Sequence, residues 1–280
     1  MKICDLHVHS NFSDGTYTPA EIISRAAEMG LSAVALCDHN TVDGLTRFLA
    51  AAEGTEITAI AGAEFSVDYN GRELHLLGLF IPVVQFGKVT ELMRAVNERK
   101  TQSNVCLIDS LRRAGYDISY EEIKSSTPSG NFNRAHIAAE LTRRGYTQSV
   151  KHAFDTLLSP ASGHYTEPKR IGVFEMIDFI RAIGAVPVLA HPFLNLNEGE
   201  LEEFLPIAKE RGLVGMECLY STYDRETTEK AFALAIKYGL LYSGGSDFHG
   251  ANKPDIELGI GRGELNVPFE WAERLNQKAE

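Results

Sequence analysis

Apolar and polar positions divide the chain into short strand-like runs and segments of helical period. Cys4-Asp5-Leu6-His7-Val8-His9-Ser10 alternates with a period of two. On a strand that period places His7 and His9 on one face, with Leu6 and Val8 on the other. Ala33-Val34-Ala35-Leu36-Cys37 is wholly apolar, as a buried parallel strand should be, and Asp38-His39-Asn40 follows it. Thr58-Ala59-Ile60-Ala61 leads into Gly62-Ala63-Glu64, and Glu73 to Ile81 forms a further strand containing His75. After a long interruption come Ala185 to Ala190 before His191-Pro192, then Val214 to Cys218. Leu240 to Ser243 precedes Gly244-Gly245-Ser246-Asp247-Phe248-His249. Helices fall between these runs: Thr18 to Met29, one from about Val42, Val173 to Ile183, and Arg225 to Tyr238. The first begins with a threonine cap, Pro19 and Glu21, and closes at Gly30. Strand, helix, strand, with ligand-type residues at the strand ends, predicts a parallel α/β barrel whose chemistry sits at that rim.

The interruption, Lys88 to about Thr166, is helical and more polar, with breaks at Gly115, Pro128-Ser129-Gly130 and Gly145. It is expected to be a helical insertion over residues 88–166, a substrate lid on a metal-binding barrel made of residues 1–87 and 167–280. The tail from Glu264 is expected to be peripheral.

Composition sharpens the picture. With 280 residues and 44% hydrophobic content the chain can bury a substantial core. No apolar run reaches the roughly 18 residues a membrane span needs. The 4 cysteines are scattered without a CxxC, and the first residues lack a secretory pattern, so a cytoplasmic protein with reduced thiols is expected. The net charge of −11 is uneven: Lys88 to Arg170 holds 13 basic and 9 acidic residues, a net of +4 against −15 elsewhere. That segment could draw in an anionic substrate, although a mildly basic solvated surface gives the same count.

The strand-end groups, in order, are His7, His9, Asp14, His39, Glu64, His75, His191, Asp247 and His249. Six of the chain's 9 histidines lie at predicted strand ends or just beyond one. An HxH pair alone also fits two buried histidines and no metal. Nine such groups on one rim do not, because imidazoles and carboxylates without cations would meet steep desolvation and like-charge costs. Nine ligands exceed the needs of one ion. Two to three divalent ions are implied, with Mn, Zn, Fe and Mg as candidates.

Asp5-Leu6-His7-Val8-His9-Ser10, Ser13-Asp14-Gly15, Asp38-His39-Asn40, Gly62-Ala63-Glu64, His75, His191-Pro192 and Ser246-Asp247-Phe248-His249 together resemble the PHP (polymerase and histidinol phosphatase) family. The resemblance implies a distorted (β/α)7 PHP barrel with up to three divalent cations. By that likeness His7, His9, Glu64 and Asp247 hold one ion, and Glu64 bridges to a second held by His75 and His191. Asp14, His39 and His249 hold the third. Asp14 stands where many relatives carry histidine, and an oxygen donor favours manganese or magnesium over zinc. Asp5 and Asp38 are expected to fix imidazole orientation. Within the insertion, Asn131-Phe132-Asn133-Arg134-Ala135-His136-Ile137-Ala138 resembles the Arg-x-His-Ile-Ala element of the subgroup acting on nucleotides and short RNA. That likeness implies a phosphate gripped by Arg134 with His136 beside it, on a helix capped by Asn133. Lys169 or Arg170 would be a further contact. A surface arginine on a capped helix is the plain alternative.

Paired cations neutralise the anionic oxygens of a phosphate ester and lower the pKa of bound water, so a metal-bound hydroxide is the expected nucleophile. No GxxxxGK phosphate loop occurs. Asp247, His249 and His191 are the expected catalytic positions, without a choice of general acid. The expected function is a metal-dependent phosphoesterase acting on a nucleotide: a 3′,5′-bisphosphonucleotide 3′-phosphatase or a 5′-3′ exoribonuclease on short RNA. The alternative is a phosphatase for histidinol phosphate or another small metabolite. An amidohydrolase also opens with HxH, but the closing Asp-Phe-His and the Asp38-His39 pair favour phosphoester chemistry. A non-catalytic PHP domain would be expected to have lost ligands. Neither a membrane nor a DNA duplex is an expected partner.

Overall fold

The computed structural model describes residues 2–125 and 132–279; the break at Pro128-Ser129-Gly130 and Asn131 of the insertion motif lie outside the described residues. The strands are β1 (Ile3–Val8), β2 (Ala33–Leu36), β3 (Thr58–Tyr69), β4 (Arg72–Leu79), β5 (Ile171–Gly172), β6 (Val186–Leu189), β7 (Gly215–Tyr220), β8 (Leu241–Gly245) and β9 (Val267–Pro268). They form a nearly closed barrel in the order β8-β7-β6-β4-β3-β2-β1-β9, with β5 beside β3. The covering helices are α1 (Pro19–Glu28) and α2 (Leu45–Ala52) early in the chain, and α7 (Val173–Ala182), α8 (Glu198–Glu210), α9 (Arg225–Lys237) and α10 (Phe269–Asn276) late in it. Between them lie α3 (Phe86–Arg113), α4 (Tyr120–Ser125), α5 (Arg134–Arg143) and α6 (Val150–Asp155). No described helix is long and apolar enough to cross a membrane.

The start of α1 follows its sequence signals: Thr18 and Glu21 form a reciprocal capping box, with Pro19 at the first helical position. The barrel closes where β8 meets β1. Asp247 N donates to the His7 carbonyl at 2.8 Å and His9 N to the Phe248 carbonyl at 3.0 Å. Gly245 permits this approach, since a Cβ there would lie 2.4 Å from the Cβ of His7.

Two expectations are corrected. The barrel is not wholly parallel: β4 runs antiparallel to both β3 and β6. A hairpin through Asn70 (φ 53°) and Gly71 (φ 80°), a turn that needs positive φ at both positions, reverses the chain. Glu64 and His75 therefore sit within long strands rather than at strand ends. Nor is the tail peripheral. β9 pairs with Ile3 and Cys4 of β1, and Val267 and Leu275 are fully buried in a core cluster with Leu6, Ala33 and Val188. The apolar positions of this tail are spaced to close the barrel's lower end.

Helix α3 joins two cores. Its first half buries Val89, Met93 and Val96 against the barrel. Its second half carries Leu107, Ile108 and Leu111 into a separate cluster with Ile137, Leu141 and Tyr165. Position 88 thus lies inside a continuous helix that fastens the helical segment to the barrel rim.

Candidate metal centre

Backbone already fixed by the sheet delivers most of the polar side chains to one basin. His7 and His9 leave the same face of β1 and are fully buried, with their Nε2 atoms 3.0 Å apart. His7 Nδ1 faces the acceptor-only carboxylate of Glu217 at 3.0 Å, so it carries the proton and Nε2 presents its lone pair to the basin. His249 Nδ1 likewise donates to the Asp247 carbonyl at 2.8 Å, leaving Nε2 3.2 Å from Asp14 Oδ1.

Glu64 is the hub of the basin. Its Oε2 lies 3.3, 3.2 and 3.1 Å from nitrogens of His7, His9 and His39. Its Oε1 lies 2.7 and 3.0 Å from His75 Nδ1 and His191 Nε2. Asp247 turns Oδ1 to His9 and His249, each at 3.3 Å. Its Oδ2 accepts from the Tyr220 hydroxyl at 2.7 Å and the Lys253 ammonium at 2.5 Å. Burial alone would raise the Glu64 carboxyl, but the surrounding imidazoles of His75, His39 and His7 hold it well below its usual range. Burial opposes ionisation of Asp247 too, and Lys253 and His249 overcome it. Both carboxylates stay charged. Positive φ at His191 (26°) and Asp247 (56°) strains the backbone where two of these side chains enter, at a cost of about 1–3 kcal/mol each. The His191 amide is anchored on Glu217 Oε2 at 2.6 Å.

This donor set fits divalent cations. The Nε2 atoms of His7 and His9, 3.0 Å apart, both face Glu64 Oε2 at 3.3 and 3.2 Å, so two nitrogens and a carboxylate oxygen converge as a cation would require. Among the described residues, His9 Nδ1 and His191 Nδ1 are buried without a hydrogen-bond partner. One donor atom from each member falls within 4.8 Å of the others in three sets: His9, Asp14, His39 and His249; His7, His9 and Glu64; His39, Glu64 and His75. The mixed nitrogen and oxygen donors suit Zn, Mn or Fe. Seven of the nine expected ligands belong to these sets, with His9, His39 and Glu64 in two each; His191 meets the basin at Glu64 Oε1, and Asp247 meets it at His9 and His249.

Asp5 and Asp38 do something other than expected. Asp5 accepts from the amides of His7, Ser246 and Gly259 and from the Ser246 hydroxyl, touching no imidazole nitrogen by hydrogen bond. Asp38 accepts from the Ser10 amide and from the hydroxyls of Ser10 and Ser13. Both fasten rim loops, because loop amides and hydroxyls at the barrel mouth lack strand partners. The carboxylate that orients an imidazole is Glu217, unexpected from sequence. Its signal is a lone charge within the apolar strand Gly215-Met216-Glu217-Cys218-Leu219.

Above the basin lies a cavity of about 210 Å³, reached past Asp14, His39 and His75 and lined by Lys100, Arg134, Lys169 and Arg170. Asn133 caps α5 as expected, placing Arg134 at the first helical position. The Arg134 guanidinium lies 4.1 Å over the Tyr165 ring and 5.6 Å from that of Phe154, which limits its movement. His136 does not line this cavity. Its Nδ1 accepts from the Asn133 amide, and the side chain borders another groove with Asn11, Thr16 and Arg143. Arg170 pairs with Glu73 at 2.7 Å and with Glu167 at 3.0 Å. Lys100 makes no ion pair among the described residues; burial lowers its pKa, with Glu73 and Asp14 opposing. Nothing in the sequence around Lys100 marks it out, since it sits in an ordinary helical charge pattern.

The PHP domain family matches residues 5–175. The chain is similar to a 5′-3′ exoribonuclease of Haemophilus influenzae, with 30% identity covering 89% of this chain and 90% of that protein. It is also 30% identical to a phosphoribosyl 1,2-cyclic phosphate 1,2-diphosphodiesterase of Eggerthella lenta, over 88% and 94% of the two chains. A 3′,5′-nucleoside bisphosphate phosphatase of Chromobacterium violaceum is 27% identical over 92% and 91%. The crystal structure of a Bifidobacterium adolescentis protein superposes with a TM-score of 0.88 at 24% identity. That superposition covers 100% of this chain and 97% of the other, and speaks to the fold alone.

Proposed function

Because this chain belongs to the PHP family of metal-dependent phosphoesterases, we propose that it hydrolyses a phosphate ester of a nucleotide. The substrate is the 3′-phosphate of a 3′,5′-bisphosphonucleotide, or a short RNA attacked from its 5′ end. The supporting observation is that one cavity is lined both by basin residues (Asp14, His39, His75) and by the cations Lys100, Arg134, Lys169 and Arg170. A phosphate over the basin then leaves a second phosphate against a basic wall, a demand that a monophosphate does not make. Names of the Haemophilus and Chromobacterium relatives carry the same two substrate types.

Residues His7, His9, Asp14, His39, Glu64, His75, His191, Asp247 and His249 would hold two or three divalent cations. Bound there, the cations supply charge neutralisation and a lowered water pKa. The protein's part is positioning. Glu217 fixes His7 and the His191 backbone, and Lys253 with Tyr220 leaves Asp247 one free oxygen. Lys100, unpaired between basin and cavity, contacts an anionic oxygen of the scissile group. Arg134, held 4.1 Å over the Tyr165 ring, pairs with the uncleaved phosphate. In this reading residues 88–166 form the lid, and Lys169 extends the basic wall.

The test is a substrate profile of manganese-loaded protein. It includes a 3′,5′-bisphosphonucleotide, a 5′-phosphorylated dinucleotide, histidinol phosphate and a phosphoribosyl cyclic phosphate. The first two should be turned over with the higher kcat/KM. Preference for histidinol phosphate or the cyclic sugar phosphate would overturn the assignment.

A further inference from the structure

Glu73 and His75 share one face of β4, two residues apart, and Glu73 stands between the cavity wall and the basin. Its Oε2 is 2.7 Å from Arg170 and 3.6 Å from Arg134. Its Oε1 is 3.6 Å from His75 Nε2. The other nitrogen of that ring, Nδ1, faces Glu64 Oε1 at 2.7 Å. One carboxylate therefore serves the guanidinium groups that line the anion cavity and the outer nitrogen of a basin histidine.

We propose that Glu73 is a shared counter-charge that couples anion binding in the cavity to metal binding at His75. This rests on the reading that Arg134 takes the uncleaved phosphate. With the cavity empty, the Glu73 charge is divided between the arginines and His75. A phosphate arriving on Arg134 competes for the guanidinium and repels Glu73, leaving more of its charge for the Nε2–H of His75. A carboxylate on the outer N–H makes an imidazole a stronger metal ligand. The anion thus tightens the ion at His75, and by linkage that ion tightens the anion by the same factor. The same carboxylate opposes the anion directly, so anion affinity is held below what the four basic side chains alone would give.

Glu73→Gln keeps the shape and removes the charge, and the two functions should then move in opposite directions. Adenosine 5′-monophosphate, which carries only the uncleaved phosphate, is titrated calorimetrically into manganese-loaded protein. Manganese binding is followed by equilibrium dialysis with and without the nucleotide. In the wild type the nucleotide should tighten one manganese ion. In Glu73→Gln the nucleotide should bind about tenfold tighter. One manganese should bind about tenfold more weakly, and no longer respond to the nucleotide. Glu73→Ala should repeat those signs if glutamine perturbs the hairpin, with the melting temperature as the check on folding. Weakening of both ligands, or of neither, would overturn the coupling. Arg134→Ala separates the two levels. If it leaves nucleotide binding unchanged, the phosphate assignment itself fails. If it weakens binding while Glu73→Gln lacks the opposed signs, the assignment stands and the coupling falls.

Discussion

The basin and the cavity above it lie side by side and are built in different ways. Basin residues are short side chains on strands and tight rim turns, most of them buried, and several are oriented by a second contact, as His7 is by Glu217 and Asp247 by Lys253. The cavity wall uses long side chains from α3, α5 and the loop before β5, and part of its charge is already spent on Glu73 and Glu167. Its helices pack in a cluster of their own. On the proposed function, the chemistry is preorganised by the sheet, whereas specificity is set by parts that can be exchanged or moved without disturbing it.

The sharpest way to break that division is at the basin. His7→Ala or Asp247→Ala should lower kcat by at least about 10⁴-fold with the fold retained, checked by steady-state kinetics and circular dichroism. Chelation should do the same, and elemental analysis should find at least two divalent ions per chain in protein purified without chelator. At the barrel's lower end, Leu275→Ala opens a cavity beneath the sheet and should cost about 2–5 kcal/mol in denaturant unfolding. Substrate preference should not change, because Leu275 packs among Leu6, Ala33 and Val188 and does not line the cavity. Glu217→Gln should weaken metal binding by about 10–100-fold, read by dialysis, with turnover recovering when metal is added back. The smallest expected change is Asp14→His, which should shift the preference from manganese toward zinc by roughly threefold in metal-titrated activity.

Much of this was legible because ligand chemistry imposes order on sequence. Histidines in an HxH at one strand and a DFH at another end have few packing reasons to recur, so nine candidate ligands could be collected before any fold was known. The barrel followed from the apolar runs that separate them. The antiparallel β4 was less visible: Asn70-Gly71 carries the hairpin signal, but the ligand-bearing runs on either side suggest one more parallel crossover. Glu217, Lys253 and Glu73 are functional only through what they touch, and those partners lie 210 positions away for Glu217 and His7 and 97 for Arg170 and Glu73. No local pattern encodes contacts at those separations. Asp5 and Asp38 show the converse, since residues next to ligands in sequence turned out to bind loop backbone.

The division of labour is tested most directly by Arg134→Ala on two substrates, a 3′,5′-bisphosphonucleotide and the matching 3′-monophosphate. Losing one charge-assisted contact to the uncleaved phosphate should lower kcat/KM for the bisphosphate by about 10–100-fold. The monophosphate should lose less than about threefold, and Arg134→Lys should recover only part of the deficit, because a point charge does not reproduce the planar fork. Equal losses on both substrates would put Arg134 on the phosphate that is cleaved, and no loss on either would leave the cavity without the recognition role assigned to it.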